Sequence, residues 1–133
     1  MTFDELNRHL DLLRELQKAQ ERLERLCLKA YPGAQNLDGM PHGSGVRDKV
    51  GELAVEIAEY RAEVDALKAQ VRASGRRVEK FVRSVPDKDV RLILRLRFQR
   101  GFQWKEIADY CGKFTTEASV KVAVYQYFRD NAE

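Results

Sequence analysis

The feature that most constrains this chain is an apolar stripe through its middle. Val50, Leu53, Ile57, Tyr60, Val64, Leu67, Val71, Ser74, Val78, Phe81 and Val85 follow one another in alternating steps of three and four. Only an α-helix places residues at that spacing on one face, and a stripe this long is the seam of a coiled coil. The spacing predicts one long helix with a weak point at Ser74-Gly75, where a polar residue sits on the seam and glycine lowers helix stability. Pro86 ends it, because a proline ring disfavours helix at the residue before it.

An exposed stripe of this kind must be covered. Leu6, Leu10, Leu13, Leu16, Leu23, Leu26 and Ala30 form a second helical stripe, with Gln17 and Gln20 interrupting it, begun by a capping box of Thr2 and Glu5 and stopped before Pro32-Gly33. The two helices can close as an antiparallel hairpin, or the seam can pair with another copy of the chain. Residues 31–47, rich in Gly, Pro, Asn and Asp, read as a long connecting loop.

Beyond Pro86, Asp87 is placed to cap a helix from about Lys88 to Arg100, closed by Gly101. A short helix, Trp104 to Tyr110, closes at Gly112, and a third starts near Thr116 and runs to about Arg129. The expected fold is all-α: a long antiparallel coiled-coil helical hairpin (1–85, with the loop 31–47) and a small trihelical helix-turn-helix head (86–133). In such heads the last helix enters the major groove of DNA.

Charge enters at this point. The formal net charge is +3, yet residues 71–100 hold ten basic side chains against three acidic ones, a belt of +7. A belt of this sign attracts a polyanion through counterion release and is expected to add phosphate contacts. A charge run alone is more often just a solvated helix surface. Cys27 and Cys111 have no metal-type spacing with His9 and His42, so the thiols are expected free and at least half-buried, and the histidines solvated. No nucleophile–base pair, carboxylate pair or phosphate loop is visible, so neither an enzyme, a cofactor nor a metal is expected. No apolar run is long enough to span a membrane and the first residues lack signal-peptide character, so a cytoplasmic protein is expected.

Leu94-Arg95-Leu96-Arg97-Phe98, then Gly101, then Trp104-Lys105-Glu106-Ile107-Ala108 resembles the C-terminal helix-turn-helix region of bacterial sigma factors. With the two long helices and the connector Gly39-Met40-Pro41-His42-Gly43-Ser44-Gly45, nearly the whole chain is similar to RinA/ArpU-type phage transcriptional regulators. The resemblance implies a regulator of phage or prophage genes in a bacterial cell, binding double-stranded DNA and touching RNA polymerase, and the coiled coil is expected to make it a dimer. Val120, Val124 and Tyr127 or Phe128 would face inward, and Arg97 would pair with Glu106 inside the fold. The candidate DNA contacts are Thr116, Glu117, Lys121 and Tyr125 on the last helix, Thr115 and Lys105 at helix N-termini, and Arg95, Arg100 and Lys113 nearby. Two other classes fit the same pattern: a small-terminase-like DNA-packaging subunit, and a coiled-coil adaptor whose head binds protein.

Overall fold

The computed structural model describes residues 1–30, 44–112 and 115–131, and the side chains from residue 51 onward in the second helix. Of the loop expected over 31–47, residues 31–43, with His42, lie outside the described residues, as do Lys113 and the side chain of Val50, whereas 44–47 are helical rather than loop. The chain is all-α, with no strand among the described residues. Helix α1 spans Phe3–Ala30, α2 Ser44–Ser84, α3 Lys88–Leu94, α4 Trp104–Cys111 and α5 Glu117–Asp130. No described helix is long and apolar enough to cross a membrane.

The helix ends follow from local chemistry. The Thr2 hydroxyl accepts from the Glu5 N–H at 3.2 Å while the Glu5 carboxylate accepts from the Thr2 N–H at 3.0 Å, a reciprocal cap. That bond, with Arg77 nearby, holds the Glu5 carboxyl below its ordinary pKa. Asp87 caps α3 by accepting from the N–H groups of Asp89 and Val90. Gly101, at φ 75°, takes the left-handed turn that ends the third helical stretch.

The helix expected over 88–100 changes character partway. From Arg95 to Gln99 it widens into a π-turn, and the Arg100 N–H reaches back to the Arg95 carbonyl. Leu94, Leu96 and Phe98 are all buried here. Alternate residues lie about 200° apart on a regular helix, so no single face could bury all three. They are buried because neighbouring elements cover this segment on more than one side.

The chain divides into two compact units. One takes in Met1–Leu13 and Val71–Glu133, so the first turns of α1 and the last turns of α2 belong with the short helices. Its core joins Leu6, Leu10, Val78, Val82 and Val85 to Val90, Ile93, Leu94, Leu96, Phe98, Ile107, Ala108, Val120 and Val124. Val82 is off the sequence stripe yet fully buried, because α2 is packed here on a broader arc than a two-helix seam requires. Phe3 lies edge-on to Phe98, Tyr125 and Phe128, and Phe81 stacks on Phe128 at 5.8 Å. Within this unit α1 and α2 run antiparallel. Arg77 approaches Glu5 at 3.8 Å, and one turn further along α1 His9 meets Ser74 at 2.7 Å. At this end the two stripes therefore meet within one chain.

The other unit, Arg14–Gln70, buries Ala19, Ala30, Ile57 and Val64, and the Arg22 guanidinium lies 6.0 Å from the centre of the Tyr60 ring. Leu28 and Val55 of this unit remain exposed.

His9 overturns one expectation. It is 3% exposed, not solvated, because it fills the space left by the polar and missing side chains of Ser74-Gly75. The seam's weak point is therefore the socket of a buried imidazole, and α2 runs through it unbroken. A Cβ added at Gly75 would meet His9 Cε1 at 3.6 Å, an ordinary van der Waals distance. Gly75→Ala is accordingly expected to raise stability by about 0.5–1 kcal/mol, through helix propensity and a less free unfolded chain. Urea denaturation checks it, and a destabilised variant would mean that the socket has no room.

Burial also pushes the His9 pKa below its ordinary 6.5. Above pH 6.5 both folded and unfolded chains carry a neutral imidazole, and the contribution to stability is complete. As pH falls below 6.5 the unfolded chain takes up a proton that the folded chain resists, so stability declines until folded His9 titrates too. His9→Gln removes the titration, so its urea midpoint is expected to fall less than the wild type's between pH 7.5 and 5.5. Parallel curves would show that His9 does not titrate differently on unfolding.

Candidate nucleic-acid interface

The site is built on α4 and α5. Ile107 and Ala108 are buried on α4, and Val120 and Val124 on α5. The small Ala108 side chain allows a close approach of the two helices. At the start of α4 the Glu106 carboxylate accepts from the Gln103 N–H at 3.2 Å. Arg97, expected to pair with Glu106, donates to the Phe102 carbonyl at 3.0 Å and lies 4.8 Å from the centre of the Trp104 ring. Its guanidinium thus ties the π-turn to the start of α4, a positioning role.

Gly112, at φ 131°, leads out of α4. Cys111 just before it is exposed rather than half-buried, since the last turn of α4 has no helix beyond it; partial burial and the charge of Asp89 raise its pKa. Cys27 is half-buried. Thr116 then caps α5: its hydroxyl accepts from the Ser119 N–H at 3.1 Å, and the Ser119 hydroxyl accepts from the Thr116 N–H at 3.0 Å.

The expected contact residues fall into separate groups. Thr115, Thr116, Glu117 and Lys121 gather at the N-terminal end of α5, where Lys121 Nζ is 3.1 Å from Glu117 Oε1. Tyr125 lies further along α5, half exposed, with its ring edge-on to Phe3 at 5.4 Å. Lys105 is exposed in the first turn of α4, and Arg100 is exposed just after the π-turn. Arg95 lies elsewhere: it is partly buried and its charge acts on Glu79 of α2.

Sequence reasoning missed the centre of the outer face. A position two residues from Val120 and Val124 is turned about 200° away from them, which selects Val122. Around it lie Ala118, Ser119, Tyr125, Gln126 and Arg129, all exposed. The periodicity of α5 could have identified Gln126 and Arg129 once Val120 and Val124 were placed inside. The face carries one cation, one amide, one hydroxyl, one phenol and two small apolar side chains.

Among the described residues no group of three or more His, Cys, Asp or Glu could hold a metal ion. The fold and this face define an all-α protein with a small helical unit that presents α5. Compared with family models, with curated proteins and with solved structures, the chain has no match.

Proposed function

We propose that this chain binds double-stranded DNA through α5, as a transcriptional regulator of the kind its sigma-like sequence resembles. One observation carries the reading. Val120 and Val124 of a capped, 14-residue helix are buried while the opposite face, centred on Val122 with Ala118, Gln126 and Arg129, is exposed, which is what insertion into a major groove requires. That face has chemistry for base edges. The Gln126 amide can pair with adenine in two places, Ala118 and Val122 suit thymine methyls, and Arg129 can reach guanine or phosphate. The N–H groups of Glu117 and Ala118, which the Thr116–Ser119 cap does not use, suit a phosphate.

The test is titration of the protein onto a duplex selected from random sequence, with random duplex as competitor, over a range of salt. Preference for the selected duplex, weakening steeply as salt rises, is the expected result. Failure to bind any duplex at low salt would overturn the reading.

A second reading has its own observation. Lys121 is engaged by Glu117, and the middle of the α5 face is uncharged, with Val122 and Tyr125 half exposed and Tyr110 on α4 more so. Such a surface suits a protein partner, and it becomes the leading reading if DNA is not bound.

A further inference from the structure

The basic belt at 71–100 is carried by elements other than α5. Its densest part forms a groove of about 640 Å³ lined by Arg72, Gly75, Arg76, Glu79, Lys80, Arg83 and Gln99. The direction of this groove follows from helix geometry. Phe81 points toward α5, where it stacks on Phe128. Arg83, two residues on, and Arg72, nine residues back, are turned about 200° and 180° from Phe81 around α2. The groove therefore opens on the side of α2 away from α5. The outer face of α5, in turn, points away from the Val120–Val124 side that packs inward.

Within the groove the single carboxylate is already engaged. Glu79 accepts from Arg83 Nε at 2.7 Å and from the Gln99 amide. Those bonds, and the charges of Arg83 and Arg95, hold its pKa below the ordinary range. Among the described residues Arg72, Arg76 and Lys80 have no carboxylate partner. Arg72 to Lys80 spans eight residues, about 12 Å at 1.5 Å per residue, with a cation at every turn. The groove is open and holds no enclosed polar pocket, so it suits an extended polyanion rather than a single small ion. Guanidinium groups are the side chains best shaped for phosphate oxygens.

We infer that this groove is a second, sequence-independent site for the phosphodiester backbone of duplex DNA. One chain can then hold two DNA segments, one read by α5 and one gripped across α2. The identity of the polyanion rests on the DNA reading of α5; the position and charge of the groove do not.

The experiment uses the full chain and two duplexes. A selected duplex is immobilised, protein is added, and capture of a labelled random duplex is measured. Wild type is expected to capture it. Arg72→Gln, Arg76→Gln and Lys80→Gln together should reduce capture at least tenfold while the chain still binds the immobilised duplex as wild type does. With α5 blocked by Val122→Glu, binding to random duplex should persist. Adding the three groove substitutions to that variant should lower the slope of log K against log salt by about 2–3, at roughly 0.9 per lost phosphate contact. Helical content by circular dichroism confirms that the variants fold. Undiminished capture by the triple variant would overturn the groove and leave the α5 reading standing. Capture of polyglutamate in preference to duplex would make the groove a site for an acidic protein and overturn the inference. Absence of binding to any duplex would overturn both readings.

Discussion

Phe98→Ala is expected to destabilise the chain by about 3–5 kcal/mol, a large part of the 5–15 kcal/mol typical of a folded domain. Phe98 is the largest fully buried side chain of the core. It sits in the π-turn, with Phe3 of α1 edge-on to it at 6.0 Å, in a core to which α1, α2, α3, α4 and α5 all contribute. Truncation would leave a cavity in this core, because close-packed surroundings relax only partly into the space of a lost ring. Urea denaturation followed by circular dichroism gives the change. Phe98→Leu, which keeps most of the volume, should cost less than half as much. A loss below about 1 kcal/mol for alanine would show that the short helices do not share one core with the ends of α1 and α2.

The second large effect concerns α5. Gln126→Ala is expected to reduce discrimination between the selected duplex and its adenine-substituted variants about 5- to 150-fold, the equivalent of 1–3 kcal/mol for a lost bidentate base contact. Gln126 is exposed and not part of the core, so the fold should be untouched. Val122→Glu places a carboxylate at the centre of the face and should abolish preference for the selected duplex altogether. Competition titration at fixed salt measures both. Wild-type preference in both variants would mean that any DNA bound is read by another element.

How much of this was legible depends on the distance over which each feature is decided. The starts of α3 and α5 were readable because caps are local: Asp87 bonds to Asp89 and Val90, and Thr116 to Ser119. The stripe on α2 was readable because helical periodicity repeats every few residues. The π-turn was not, since nothing in Arg95-Leu96-Arg97-Phe98-Gln99 departs from helix-forming composition. His9 was misread as solvated, because its partner Ser74 lies 65 positions away. The same residues that marked a weakness in one helix became a socket for the other. On α5, Thr116, Lys121 and Tyr125 were expected to point outward, and Thr116 and Tyr125 are exposed while Lys121 is partly so. Gln126 was missed although it stands two residues from Val124, which the same periodicity places inside.

The basic belt shows the division most clearly. Composition established that ten cations crowd into thirty residues, and the period of the helix determined which of them share a face. Whether those faces look the same way depended on which side of α2 receives Phe128 and which receives Gln99. Sequence alone therefore determined the all-α class, the positions of most helix ends and the amount of charge, since each depends on residues within a few positions of one another. Only tertiary structure decided that α1 and α2 meet within one chain at His9, that their ends share a core with the short helices, and that Arg95 stands with α2 rather than α5. Side chains far apart in sequence compete for the same faces, and packing settles which of them are covered.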